Sequence, residues 1–298
     1  VRREVRVKGY ALFAVLTALV ATSCGDRLGR KRVLIQHRGS DTLLNVAQAW
    51  AEAYKTVNPD VAVAVTGGGS GTGISSIING TGDIASASRK MTAQELEAAR
   101  RNGSDPVEFM VGHDAIAVFL HPDNPLNSFT FEQLAQIYGE GGGIERWSDL
   151  GVEVPGCDSG EIVRVSRQNN SGTYVYFKET VLGRGRDYRL GSRDMHGSKD
   201  VVTLVSKTPC AIGYSSLVFA SSQVKMPCIA KDDTSPCIVP SRATAIDGSH
   251  PIARPLLLYA RDHPVGAVKQ YLDWILSDAG QCIARQKGYA PVLSVECP

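Results

Sequence analysis

Val61-Ala62-Val63-Ala64-Val65-Thr66-Gly67-Gly68-Gly69-Ser70-Gly71-Thr72-Gly73-Ile74-Ser75-Ser76-Ile77-Ile78 carries the pattern on which the fold turns. The β-branched run Val61–Val65 reads as a strand, Gly67–Gly73 as a turn, and Ile74, Ile77 and Ile78 as one face of a helix. The same unit stands upstream: Val33-Leu34-Ile35, then Arg38-Gly39-Ser40-Asp41-Thr42, then Leu43, Ala47, Trp50 and Tyr54 at helical spacing. Downstream, Asp83-Ile84-Ala85 runs into Ser86-Ala87-Ser88-Arg89, and Thr92 with Glu95 forms a capping box. Ala115–Leu120, Ile162–Val165, Ile212-Gly213-Tyr214 and Leu256–Tyr259 read as further strands. Helices are expected from Thr130 to Tyr138, from Ser171 to Leu182, over Val201–Ser206 and from Asp278 to Lys287. Val268, Tyr271, Leu272, Ile275 and Leu276 add an amphipathic face. Alternating strands and helices over 298 residues predict an α/β protein of one large domain or two lobes.

Three of the turns share one device: a strand ends, a Gly/Ser/Thr-rich turn follows, and a helix begins. They are Gly39–Leu43, Gly67–Ile74 and Asn169–Tyr174. A helix start leaves backbone N–H groups without intrahelical partners and carries partial positive charge, so each turn suits an anion. Glycine admits close approach, and serine and threonine add hydroxyl donors. Arg167, four residues before Ser171, stands where its planar fork could grip two oxygens of one ligand. Taken singly, each serine or threonine reads more readily as a plain N-cap.

Other chemistries lack their residues. Gly68-Gly69-Ser70-Gly71-Thr72 misses the last glycine of a nucleophile elbow, and the Gly67–Gly73 loop fits neither a P-loop nor GxGxxG. No HExxH or Cys/His zinc spacing occurs, so no metal is expected. The histidines, His113, His121 and His196 among them, supply no Ser/His/Asp set. Residues 1–23 read as an export signal: Arg2, Arg3, Arg6 and Lys8, an apolar run from Tyr10 to Ala21, then Ala21-Thr22-Ser23-Cys24. The run is too short to span a bilayer. Cys24 after two small residues resembles a lipobox, with Ala21 where leucine is usual, and residues 24–32 would be a tether. Setting residues 1–23 aside leaves 28 basic and 29 acidic residues, a net of −1, which argues against nucleic-acid binding. Cys157, Cys210, Cys228, Cys237, Cys282 and Cys297 then make an even set, read as three disulfides of an exported chain.

Several blocks, taken in order, resemble the phosphate-binding receptors of Pst-type ABC transporters, within the type II periplasmic binding-protein fold. They are Gly39–Thr42, Gly69–Gly73, Asp83–Arg89, Asp114–Ala117, Ile144-Glu145-Arg146-Trp147-Ser148-Asp149-Leu150-Gly151, Ser166–Thr173, Pro251–Pro255, Gly280-Gln281 and Gly288–Val292. The most specific is Arg167-x-x-x-Ser171-Gly172-Thr173. The resemblance implies two lobes, each a mixed sheet flanked by helices, joined by two crossing hinge strands near Gly112–Ala115 and Ile252–Pro255. Lobe I would hold residues 33–112 and 255–298, and lobe II residues 113–254. It further implies phosphate contacts from Thr42, Leu43 (backbone N–H only), Ser70, Ser88, Arg167, Ser171, Gly172 and Thr173.

At position 88, well-known members carry an aspartate that accepts the proton of phosphate. Ser88 stands here, and Asp41 and Asp114 are possible substitute acceptors. The implied function is capture of inorganic phosphate for ABC transporter permease subunits, by a lipid-anchored monomer in the periplasm or on the outer face of a bacterial membrane. No catalysis and no cofactor are expected. The rivals are a receptor of the same fold for sulfate or molybdate, a phosphate sensor, and a secreted phosphatase using Ser70 or Ser171. Six cysteines allow 15 connectivities. A hinge at the implied crossings disfavours bonds between lobes, which selects Cys282–Cys297. Three arrangements remain for the other four; among them the short loop between Cys228 and Cys237 suits a hairpin disulfide, with Cys157–Cys210 as the remainder.

Overall fold

A computed structural model of the chain describes residue 1, residues 32–183 and residues 185–297. The expected signal segment (but for residue 1), Cys24 and the tether up to residue 31 lie outside the described residues. The first part of the chain alternates as expected: β1 (Val33–Gly39), α1 (Asp41–Val57), β2 (Val61–Thr66), α2 (Ser70–Ile78), β3 (Ile84–Ala87) and α3 (Ala93–Arg101). The long strand β4 (Val107–Leu120) leads to β5 (Ser128–Thr130) and α4 (Phe131–Tyr138). Then follow β6 (Val163–Arg167), α5 (Gly172–Phe177) with a π-helical continuation over Lys178–Leu182, β7 (Arg193–Met195), α6 (Ser198–Ser206), β8 (Ala211–Ser216), β9 (Cys228–Ala230) and α7 (Arg242–Ile246). Strand β10 (Ala253–Ala260) and helices α8 (Gly266–Ile275) and α9 (Asp278–Gln286) complete the chain.

Eight strands form one mixed sheet in the order β2-β1-β3-β10-β4-β8-β6-β7, and β5 pairs with β9 separately. The expected crossings are neighbours: Ala253, Arg254, Pro255 and Leu256 lie opposite Ala115, Asp114, His113 and Gly112 in antiparallel register. A proline is tolerated in so central a strand for a local reason. Strand β10 pairs with β3 only from Leu257 onward, past an irregularity at Leu256/Leu257, so Pro255 has a strand partner on one side alone.

The sequence placed the strand at residues 115–120, but β4 begins at Val107. Asp114 hid the continuation, because a lone carboxylate in an apolar strand is costly unless paired. Its partner, Arg254, is far away in sequence and adjacent in space.

Buried side chains separate at the same crossing. Two apolar clusters draw their buried members from residues 35–111 and 256–289, around Trp50, Tyr271, Ile77 and Tyr259. Two others draw theirs from residues 116–252, around Tyr138, Trp147, Phe119 and Val201. Cys157–Cys210, Cys228–Cys237 and Cys282–Cys297 are bonded, the first two between residues of 116–252 and the third between residues that follow β10. The antiparallel bridge Ile229–Ile238 makes the second of them a hairpin disulfide, as its short loop suggested. No helix among the described residues is long and apolar enough to cross a membrane.

His37 on β1 is fully buried, with Nε2 2.6 Å from Ser86 Oγ and the ring edge-on to Tyr271. Burial pulls its pKa down to about 4, against an ordinary value near 6.5. A depressed histidine is neutral in the folded chain while the unfolded chain takes up a proton. Its contribution is therefore complete above pH 6.5 and lost as the pH falls through 4, by about 3 kcal/mol. His250 and His113, also lowered by burial, act in the same direction. His37→Gln is expected to flatten the decline of the urea midpoint between pH 7 and 4. A variant whose decline parallels that of the unmodified chain would refute this.

Candidate anion-binding site

Three helix starts meet beside the C-terminal ends of β1, β3 and β6. Helices α1 and α2 begin after Ser40 and Gly69, neither of which caps its helix through a side chain. Gly69 is required there: its φ of 89° is unfavourable for other residues, and an added Cβ would lie 2.7 Å from Asn170 O. Helix α5 begins after Ser171, whose hydroxyl accepts from the Thr173 N–H at 3.2 Å, so at this position the N-cap reading holds.

The expected contact residues come together. Ser70, Ser88, Arg167, Ser171, Gly172, Thr42 and Thr173 are all buried, although most are polar. Ser70 Oγ accepts from the Ser88 N–H at 3.0 Å and lies 3.3 Å from Ser88 Oγ. Thr42 Oγ1 and Thr173 Oγ1, distant in sequence, are 3.4 Å apart. Gly172 packs so closely that a Cβ there would sit 2.3 Å from Ser70 Oγ and 2.6 Å from Ser88 Oγ. Asn170 completes the seam by donating to Gly68 O and accepting from Gly71 N–H, both at 2.9 Å.

Two expectations change. Arg167 does not present an open fork: Nη2 donates to Asp41 Oδ2 (3.0 Å) and His196 O, Nη1 to Ser198 Oγ (2.8 Å) and Nε to Met195 O. Four of its five N–H groups are thus engaged among the described residues, which leaves one Nη1 proton rather than a two-toothed grip. The Leu43 N–H, expected to face the ligand, closes a turn on Ser40 O at 3.0 Å. Both differences arise because buried donors must find acceptors, and the folded chain supplies them.

Charge at the site is balanced locally. Burial lowers the pKa of Arg167, opposed by the adjacent Asp41 carboxylate, and the guanidinium stays protonated. Asp41 also accepts from the Gly68 N–H at 2.9 Å, tying the glycine loop to α1.

Arg254, which the sequence placed only within a hinge block, forms a second buried pair. Its Nε and Nη2 donate to Asp114 Oδ2 at 3.0 and 2.7 Å, and Ser216 Oγ donates to Asp114 Oδ1 at 2.7 Å. Its Nη2 also lies 3.1 Å from Thr173 Oγ1 and 3.3 Å from Thr42 Oγ1. The available signal was one arginine at the head of an otherwise apolar strand. Asp41 and Asp114, considered as acceptors for a ligand proton, are each engaged by an arginine. Among the described residues no group of three or more His, Cys, Asp or Glu side chains is arranged to hold a metal.

The family model of the PBP superfamily domain matches residues 22–279. The phosphate-binding protein PstS of Pseudomonas aeruginosa is 34% identical over 265 residues, 85% of this chain and 81% of that protein. SphX of Synechococcus elongatus is 29% identical over 88% of this chain and 78% of its own. Among solved structures, a protein of Clostridium perfringens described as a phosphate ABC transporter substrate-binding protein, with phosphate bound, superposes with a TM-score of 0.75. It is 29% identical and covers 87% of this chain and all of its own. An ABC-type phosphate transport receptor of Vibrio cholerae gives a TM-score of 0.69 at 25% identity, covering 86% of this chain and 99% of its own. Three helix starts converging on buried hydroxyls agree with both kinds of match: the chain belongs to the PBP superfamily and, within it, to the family of PstS phosphate-binding proteins.

Proposed function

We propose that this protein is an extracytoplasmic receptor that captures inorganic phosphate in the cleft and delivers it to the permease subunits of an ABC transporter. The observation that carries this reading is the convergence of buried hydroxyls, helix starts and Arg167 from opposite sides of one seam. Desolvating an oxyanion is costly, so its oxygens must all meet donors. Thr42, Ser70, Ser88, Ser171 and Thr173, the Gly172 and Leu43 backbones and the remaining Arg167 N–H are the proposed contacts. For the Leu43 N–H to contribute, its turn on Ser40 O must open when the anion enters.

The lobes are taken as residues 33–112 with 255–298 and residues 113–254, with β4 and β10 as the crossing strands. The separation of the apolar clusters at this boundary supports that division. The three disulfides suit an oxidising compartment. Anchoring through a lipid on Cys24 belongs to the same reading, and a Cys24→Ser chain is then expected in the soluble fraction. Membrane retention of that chain would count against the anchor. The receptor acts as a monomer and performs no chemistry.

Calorimetry with phosphate, arsenate, sulfate and molybdate tests the central claim. Phosphate and arsenate are expected to bind one to one without turnover of p-nitrophenyl phosphate. Absence of phosphate binding would refute the reading, and hydrolysis would favour a phosphatase. The serine at position 88 favours one second reading, a receptor that also accepts sulfate.

A further inference from the structure

Arg254 is buried to 2% exposure on a strand whose other buried residues are apolar. A buried ion pair is weak evidence for stability, because an apolar pair of similar volume often serves as well. Its surroundings suggest a different role. Besides Asp114, directly opposite across the strands, Arg254 reaches the hydroxyls of Thr42 and Thr173 through Nη2 and the Ser88 carbonyl through Nη1. Those two threonines stand at the starts of different helices, and one comes from either side of the cleft.

A hydroxyl has one proton to give. If it accepts from a guanidinium, its own proton must point elsewhere, and a donor polarised in this way is stronger. We propose that Arg254 is a positioning residue of the anion site: with one Nη2 proton on Asp114, it shares the other between the Thr173 and Thr42 hydroxyls from β10 and so turns their own protons toward the ligand. It can do so only when the two sides of the cleft are together, so it also links closure to occupancy. This rests on the phosphate reading given above. Asp114 keeps the guanidinium in place and cancels its net charge, so the effect on the anion passes through the oriented hydroxyls.

The test is a cycle of variants in the full-length chain, titrated calorimetrically with phosphate, arsenate, sulfate and molybdate. Arg254→Met with Asp114→Asn removes the pair as a unit, so that no buried charge is stranded. Arg254→Lys keeps the charge but offers one ammonium in place of the planar fork. Both are expected to weaken the anion bound by the unmodified chain by about 10- to 100-fold. In a Thr42→Val/Thr173→Val background the same changes are expected to cost less than about threefold, since the hydroxyls they act through are gone. A purely structural role would lower the melting temperature without this non-additivity. Affinity within about threefold of the unmodified chain in folded Arg254→Lys would overturn the proposal, as would losses that simply add. Should the unmodified chain bind sulfate and not phosphate, the phosphate reading fails, while the cycle still reports on Arg254 with the anion that binds.

Discussion

Arg167→Ala is expected to weaken phosphate binding by about 2–5 kcal/mol, roughly 30- to 5,000-fold in affinity. The guanidinium is 1% exposed and pairs with Asp41, 126 residues earlier in the chain. Its loss has two consequences that must be separated. One is the loss of the remaining Nη1 donor and of a nearby positive charge. The other is an Asp41 carboxylate left buried without its cation, which disfavours both closure and an incoming anion. Arg167→Ala with Asp41→Asn removes the stranded charge, so whatever deficit remains measures the arginine's own contribution. Ser171→Ala should cost less, about 0.5–1.5 kcal/mol of binding for a neutral donor. Because Ser171 caps α5, part of its cost should appear as a lower melting temperature even without ligand. Unchanged phosphate affinity in Arg167→Ala would remove the central claim.

Ser88→Asp is expected to act on selectivity rather than on phosphate affinity. Ser88 is 1% exposed, and its hydroxyl lies within 3.3 Å of both Ser40 Oγ and Ser70 Oγ. Hydrogen phosphate carries a proton that a carboxylate at this position would accept. Sulfate carries none at neutral pH, so the introduced carboxylate would face a bare oxyanion in a dry site. Like charges brought together in this way cost several kcal/mol. Sulfate binding should therefore fall by about 100-fold or more relative to phosphate, while the unmodified chain discriminates less. The site itself argues for this. Asp41 and Asp114 are engaged by Arg167 and Arg254, and hydroxyls make up the rest of the polar lining described above. Competition calorimetry decides the matter: an unchanged sulfate-to-phosphate ratio in Ser88→Asp would contradict the assignment of position 88 as a ligand contact.

Much of this protein follows from local chemistry. The β-branched run at Val61–Val65, the glycines after it and the isoleucines at helical spacing determine a strand, a turn and a helix without help from the rest of the chain. Thr92 with Glu95 and Thr130 with Gln133 cap their helices reciprocally, an arrangement that depends on residues three apart. The identity of the hydroxyl-bearing turns was legible for the same reason.

The tertiary structure decided where each buried charge found its partner. Arg167 meets Asp41, and Arg254 meets Asp114, at sequence separations of 126 and 140. A charge buried in a strand or turn must be paired, but its own sequence does not say by what. That is why β4 proved longer than its apolar run, why the Arg167 fork proved largely occupied, and why Arg254 went unread as part of the site. Periodicity and capping act over a few residues, so the sequence by itself determined the longer elements and the turns at the helix starts, but not the short strands β5, β7 and β9. Pairing of buried charges acts through space, so Arg254 met Asp114 only when β10 lay beside β4, and Arg167 met Asp41 only when β6 and α1 came together.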